Sequence, residues 1–510
     1  MPQTEVSDAA GPLIPPGLGP VRVRFAPSPT GIQHIGGYRT AIFIWLFARR
    51  CGGQFLLRIE DTDTERYNPA AVDALLDGLR WLDVMPDEGP IVGGPVGPYF
   101  QTQRAAIYQS YADELIKRGG AYRCYCTSER LDQMRKEQEA RGVKSVRYDR
   151  RCRYLTPEER QQHEANGESF VVRLAVPLEG QTVLKDLLRG DVVFEHSELQ
   201  DLILLKSNGL PTYHLGAMVD DHLMGITHVT RGANDWLSSS PYHVLVYQFF
   251  GWQQPVWIHF PVVLGNDRKK LSKRHGAEPI TTYQQAGYLP DAIINYLALL
   301  GWSYDDKTDI LSREQLMASF SPERLSVSDA VFDAERLLWM NGVYIRALTP
   351  EQLAEYALPY LERPEAQGGL PDSIARPLDR GYVARVLKLE QERMKTLGEA
   401  AQMTSFFFTD AIHYAADLLI GKGMDREKTT NALRRALAFL EGLDTWEAAA
   451  MEAPMRELAD ALGLKPGQLF MPARVAISGR TVSPPLFETM EVLGRERTLA
   501  RIRQALEKLA

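Results

Sequence analysis

Between positions 21 and 25 apolar and polar side chains alternate. After a turn rich in proline and glycine the period lengthens to that of a helix, with Ile42, Trp45, Leu46 and Arg49 at helical spacing. Residues 54–59 form a short apolar run that ends in Glu60-Asp61-Thr62-Asp63. This predicts a second, parallel strand with an acidic tip at the carboxyl edge, where ligands of open α/β sheets bind. Helical patterns follow over 70–82 and 103–118. From 121 to 204 a basic, cysteine-bearing segment leads into strand-like runs at 170–174 and 191–194, which predicts an inserted α+β module. Strand-like chain resumes over 201–206, continues through Tyr213-His214-Leu215 and returns at 228–231. Beyond 289 helical periodicity dominates, as in 291–300, 351–361, 430–440 and 496–509, with turns such as Gly368-Gly369 between. The pattern predicts an α/β half followed by an α-helical half.

At 510 residues the chain should form more than one domain, because single cores stop growing near roughly 250–300 residues. A hydrophobic content of 45% and a charged content of 24% are ordinary for a soluble globular protein. No stretch approaches the ~18 apolar residues of a spanning helix. The Pro-, Gly- and Ala-rich opening lacks the basic start and apolar run of a signal peptide, so a cytoplasmic chain with a disordered tail over 1–20 is expected. The net charge of −7 does not exclude an RNA partner, since attraction to phosphates depends on local patches. Nine Lys/Arg against four Asp/Glu fall within 130–153, and a second basic stretch runs over 495–503. Each reads equally well as an exposed helix of mixed charge.

Two segments carry candidate chemistry. The first runs from Arg24-Phe25-Ala26-Pro27-Ser28 to His34-Ile35-Gly36-Gly37. A strand-turn-helix of this kind aims backbone N–H groups at an anion above the sheet, and Gly36 and Gly37 would let a nucleotide lie against the backbone. The second, Lys270-Leu271-Ser272-Lys273-Arg274, reads as a basic loop suited to triphosphate oxygens. Taken singly, a His before two glycines is more often a capped turn, and a Lys/Arg cluster a solvated face. Four cysteines are no disulfide framework for this length, but three of them, Cys124, Cys126 and Cys152, suit Zn²⁺; ordinary thiols are the alternative.

In this order the two segments resemble the signature pair of class I aminoacyl-tRNA synthetases. Within that class Gly37, the Lys-Leu-Ser-Lys-Arg loop and Arg58-Ile59-Glu60-Asp61-Thr62-Asp63 resemble the bacterial-type glutamyl-tRNA synthetase family. The resemblance covers nearly everything after the tail, including Leu338-Trp339-Met340-Asn341-Gly342 and Pro484-Pro485-Leu486-Phe487-Glu488. It implies a Rossmann-like class I α/β catalytic domain with an inserted α+β acceptor-binding module, followed by an all-α stem-contact and anticodon-binding region. The catalytic halves would be 21–120 and 205–262, the inserted module 121–204, the stem-contact region with the lysine loop 263–346 and the helical anticodon-binding region 347–510. The implied activity is ATP-dependent attachment of glutamate to tRNA(Glu) through a glutamyl-adenylate, by a cytoplasmic monomer with no membrane partner. The alternatives are an enzyme that also glutamylates tRNA(Gln), the glutamyl-queuosine tRNA-modifying enzyme, which lacks the helical half, and glutaminyl-tRNA synthetase, whose second half would read as strands. A catalytically silent, synthetase-like RNA-binding protein is the remaining one; His34, Glu60, Arg231 and Lys273 together speak against it.

Activation of an amino acid on ATP is displacement at the α-phosphorus by a carboxylate, so the protein must hold two anions together and stabilise charge. His34 and Lys273, assisted by Lys270 and Arg274, are the candidates for that work. Pro27, Gly36, Gly37 and Lys273 are expected to bind ATP, with Mg²⁺ accompanying it. Glutamate requires cations for its side-chain carboxylate and an acid for its α-amine; by position Arg24, Ala26, Ser28, Glu60, Tyr213 and Arg231 resemble the family's substrate residues. For the zinc, Tyr148 resembles the tyrosine ligand of the related glutamyl-queuosine enzymes, while Tyr154 stands where some family members have His, and water is a further choice. Two departures from the family pattern are Ala217, where some members carry Asn, and Gly232-Ala233-Asn234-Asp235, one residue longer than usual between Arg231 and Trp236.

Overall fold

Strand β1 (Arg22–Phe25) buries Val23, Arg24 and Phe25 in succession. The expected alternation is therefore absent, as befits a parallel strand covered on both faces. The structure, a computed structural model, describes residues 18–269, 271 and 278–510. Helix α1 (Ile35–Arg50) returns the chain to β2 (Gln54–Leu57), which pairs parallel with β1 from Arg22↔Gln54 to Phe25↔Leu57. Main-chain bonds continue past the strand ends, Arg58 N–H to Phe25 O at 3.0 Å and Glu60 N–H to Pro27 O at 3.0 Å, and they pin Glu60 beside the turn. Helices α2 (Pro69–Trp81) and α3 (Ala105–Lys117) follow.

Next come β3 (Ala121–Cys124), α4 (Ser128–Ala140), α5 (Pro157–Ala165), β4 (Val171–Leu174), β5 (Gln181–Asp186), β6 (Gly190–Glu195) and β7 (Ile203–Leu205). Strands β3, β4 and β7 form an antiparallel sheet. The expected strand through Tyr213-His214-Leu215 is instead the start of helix α6 (Tyr213–Leu223). Leu215, Met218 and Val219 are buried at helical spacing there, and that period, not the β-prone Tyr213, decides the element. Strand β8 (His228–Gly232), the short helix α7 (Ala233–Trp236), α8 (Ser240–Phe250) and β9 (Val256–Phe260) complete this region.

The second sheet has the order β6-β5-β9-β8, with β8 and β9 parallel. Strand β5, inside the stretch assigned from sequence to the insertion, pairs with β9 through Asp186↔Trp257. Its sequence, Gln181-Thr182-Val183-Leu184-Lys185-Asp186, has two adjacent apolar residues and no polar–apolar alternation, so it carries only a weak strand signal. Thr227, just before β8, donates its N–H to Arg22 O at 3.0 Å and sets β8 beside β1. Along the line β2, β1, β8, β9 the chain order reverses between β1 and β8. That is a topological switch point, and the crevice beyond its carboxyl ends is where such sheets bind ligands.

The described chain divides into two units. One runs to Thr282 and includes Ile293–Ala334; the other comprises Tyr283–Ala292 and Glu335–Ala510. From Glu335 onward the second unit is helical, as expected, with Pro350–Glu362, Arg380–Glu390, Arg426–Glu441, Pro466–Ser478 and Arg495–Leu509 among its helices. Thr349 and Gln352 form a capping box ahead of Pro350, and Gly479 at φ 72 ends the helix Pro466–Ser478 in the left-handed region. The basic stretch 495–503 proves largely structural. Arg501 is buried and donates to the carbonyls of Phe406, Ile477 and Thr409, while Arg497 and Arg503 pair with Asp410 and Glu441. Among the described residues no helix is long and apolar enough to cross a membrane.

Candidate active site

A cavity of about 520 Å³ opens at the switch point. Arg24, Ala26, Pro27, Ser28, His34, Gly36, Gly37, Glu60, Tyr213 and Arg231, all singled out from sequence, line it together. Leu271 also lines it, with its N–H on Val263 O at 3.0 Å; Lys270, Lys273 and Arg274 lie outside the described residues.

His34 is the N-cap of α1, and its Nδ1 accepts from Gly36 N–H at 3.0 Å, which assigns its proton to Nε2. A Cβ at position 36 would lie 2.8 Å from the His34 ring, and one at position 37 would lie 2.2 Å from Gln33 Oε1. The glycines therefore make room for neighbouring side chains, not only for a ligand. Ile35, Gly36 and Gly37 donate their N–H groups to Glu278 O, His34 Nδ1 and His34 O. The expected backbone donors of this first turn are thus already bonded, and His34 lines the cavity at the helix start together with Gln33 and Thr40.

Beneath the cavity lies a buried ion network that the sequence reading missed. Arg24 donates from Nε and Nη2 to the two oxygens of Asp221, at 2.9 and 3.1 Å. Arg58 reaches Asp221 at 2.8 Å and Glu60 at 3.0 Å. Arg104, Gln101 and Tyr108 donate to Asp220 at 2.7, 2.9 and 2.8 Å. The three guanidinium groups face three carboxylates, so the network is close to neutral, as burial requires. Glu60 is nonetheless pushed up to about 7, because burial outweighs Arg58 and Arg24. Burial also opposes the charge of Arg24, but Asp221 prevails and strengthens its hold on its proton.

Arg231, on β8, is also buried, yet no carboxylate among the described residues pairs with it. Its Nε donates to His259 Nε2 at 2.9 Å, Nη1 to Tyr213 Oη at 3.1 Å, and Nη2 to Ser240 Oγ at 2.9 Å and His243 Nδ1 at 3.1 Å. Four of the five N–H groups meet neutral acceptors, and Arg231 is among the residues that line the cavity. The guanidinium also lies 5.0 Å above the Trp257 ring. Burial lowers the proton affinity of Arg231, and nearby Arg24 pushes the same way. The cavity thus combines a compensated arginine, an uncompensated one and an acid poised to ionise.

Trp236 closes one side, its ring 4.0 Å from that of Tyr213 at 31°. The longer connection after Arg231 takes the form of α7, which presents Trp236. Ala217 is buried in the apolar core with Leu215 and Met218.

Away from the cavity, the thiols of Cys124, Cys126 and Cys152 lie within 4.8 Å of one another. Tyr148 Oη is 3.3 Å from Cys124 Sγ and 3.5 Å from Cys126 Sγ, and the Arg173 guanidinium lies 4.0 Å over the Tyr148 ring. Tyr154, at 63% exposed, points to solvent. Three sulfurs and one oxygen converging in this way fit a tetrahedral zinc.

Residues 20–339 match the family model described as tRNA synthetases class I (E and Q), catalytic domain, and 352–506 match an anticodon binding domain. The chain is 48% identical over 490 residues to a glutamate–tRNA ligase of Dehalococcoides mccartyi, covering 96% of this chain and 98% of that protein. It is 48% identical over 497 residues to that of Roseiflexus castenholzii, covering 96% and 97%. Among solved structures, a glutamate–tRNA ligase from Elizabethkingia meningosepticum in complex with its amino acid superposes with a TM-score of 0.86 at 34% identity, covering 96% of this chain and all of that one. The synthetase from Elizabethkingia anophelis gives 0.82, also at 34%.

Proposed function

The chain belongs to the class I tRNA synthetases for glutamate and glutamine, and within them to the glutamate–tRNA ligases; from that premise we propose how its switch-point cavity performs the reaction. It attaches glutamate to tRNA with ATP as the second substrate. Arg231 and Tyr213 take the side-chain carboxylate of glutamate, Arg24 adds its cavity-side N–H groups, and ionised Glu60 receives the α-ammonium. Ala26 and Ser28 lie beside them in the turn. The observation that carries this reading is the uncompensated buried charge of Arg231: a carboxylate arriving there supplies the counter-charge the protein withholds.

With both ends of glutamate held, its α-carboxylate oxygen attacks the α-phosphorus of ATP, a P–O bond forms, and pyrophosphate leaves. The protein contributes placement and charge, not a nucleophile. His34, donating from Nε2, and the basic residues Lys270, Lys273 and Arg274 stabilise the phosphates, with Pro27, Gly36 and Gly37 forming the floor under the nucleotide. Magnesium accompanying ATP neutralises further phosphate charge. A ribose hydroxyl at the tRNA terminus then attacks the acyl carbon and releases AMP.

Cys124, Cys126, Cys152 and Tyr148 would hold one Zn²⁺, which would pin the β3–β4–β7 region. The cavity reading is tested by aminoacylation with Arg231→Ala: the KM for glutamate should rise and the preference over glutamine should narrow. Full retention of that preference would assign Arg231 a structural role.

A further inference from the structure

Two of the four acceptors on Arg231 are histidine nitrogens. His259 Nδ1 lies 2.6 Å from Asp186 Oδ2, so the proton is on Nδ1 and Nε2 is the lone pair facing Arg231. His243 turns Nδ1 to Arg231, which puts its proton on Nε2, 3.1 Å from His214 Nδ1. Asp186 is the carboxylate in this chain of contacts. It already accepts the N–H groups of Leu188, Arg189 and His259 besides the ring proton, and it reaches Arg231 only through an imidazole.

The neighbouring strand shows the contrast. Arg24 on β1 is gripped by Asp221 with two charge-assisted bonds, which are roughly twice as strong as neutral ones. A carboxylate at position 243 or 259 would hold Arg231 more tightly in the same way, but it would cancel the charge. The neutral imidazoles orient the guanidinium and leave its charge in place. Burial pushes His243 well below the usual histidine range, with Arg231 acting in the same direction, and it pushes His259 down against Asp186.

We propose that His243 and His259 are positioning residues that set the selectivity for an acid over its amide: as neutral acceptors they fix the Arg231 guanidinium without compensating it, so that only a carboxylate ligand completes the site. This rests on the reading of Arg231 as the partner of the side-chain carboxylate. Glutamine, in place of glutamate, would leave the buried cation without a counter-charge.

The test uses near-isosteric pairs in the full-length protein: His243→Asn against His243→Asp, and His259→Gln against His259→Glu. The amides keep an acceptor where each imidazole offers one; the acids add a charge of the wrong kind. Steady-state aminoacylation with glutamate and with glutamine is run beside Arg231→Ala. The amide variants should keep the ratio of kcat/KM values within about threefold of the parent. The acid variants should lower it by on the order of tenfold or more, through the KM for glutamate, with kcat less affected. If an acid variant does not fold, Ser240→Asp, which sets a carboxylate against Nη2, carries the same expectation. Amide and acid variants shifting the ratio alike would show that the histidines only fill space and would overturn the inference. An unchanged ratio in Arg231→Ala would overturn the carboxylate reading itself, which separates the two failures.

Discussion

Arg24 and Asp221, 197 positions apart in sequence, face each other in a two-pronged ion pair beneath the cavity, with Nε on Oδ1 at 2.9 Å and Nη2 on Oδ2 at 3.1 Å. Arg58 adds a third contact to the same carboxylate. Removing the acid leaves two buried guanidinium groups short of a partner. Asp221→Ala should therefore destabilise the catalytic unit by about 3–5 kcal/mol, measured as a shift in the denaturant midpoint at constant slope. A loss under about 1 kcal/mol would mean that the network relaxes around the gap.

Glu60 titrates at about 7 because burial disfavours its charge. Only the ionised form can receive an ammonium, so the KM for glutamate should climb as pH falls below 7, by about tenfold per unit at the limit. The stability effect of the empty enzyme has the opposite sense. A carboxyl whose folded value is raised from 4.5 to about 7 stabilises fully below 4.5 and loses that contribution as pH rises through 7. Glutamate binding near neutral pH should then expel a proton, which is read as a buffer-dependent enthalpy in titration calorimetry. A pH-independent KM between 6 and 8 would remove Glu60 from the ammonium site.

Lys273 is expected to act as charge develops on the phosphates. Lys273→Ala should slow adenylate formation by the equivalent of about 3–4 kcal/mol while glutamate binding changes little. Steady-state and single-turnover rates separate the two, and an intact kcat with only KM altered would sink the assignment.

Freshly purified, unchelated protein should contain close to one zinc per chain by elemental analysis, and Cys152→Ser or Tyr148→Phe should reduce it. Chelation should impair transfer to tRNA while the larger cores keep the chain folded. Metal far below stoichiometric would leave Cys124, Cys126 and Cys152 as plain thiols.

The cavity was legible in sequence where its residues come as contiguous strings. Arg24 to Ser28 and His34 to Gly37 announce a strand, a turn and a helix start, and Glu60 stands at a strand tip; all line the same cavity. What was illegible depends on distance or on context. Asp220 and Asp221 look like the solvent face of a helix until α6 is seen to bury them against Arg24, Arg58 and Arg104, all more than 100 positions away. A Val-Asp-Asp run inside an apolar helical stripe was the available signal. His243 and His259 had none, since a histidine in an apolar run reads as core. Tyr213 lines the cavity from a helix and not from the expected strand, because the three-residue string reads as strand and only the longer period reveals the helix.

Aminoacylation of purified tRNA(Glu) and tRNA(Gln) by the purified chain, with radiolabelled glutamate and glutamine supplied in parallel and ATP omitted from a control, decides whether the cavity serves glutamate. Glutamyl-tRNA should accumulate on tRNA(Glu) in an ATP-dependent way, with negligible ester formation from glutamine on either tRNA. Charging with glutamine at a comparable kcat/KM, or no ester with glutamate at all, would contradict this assignment.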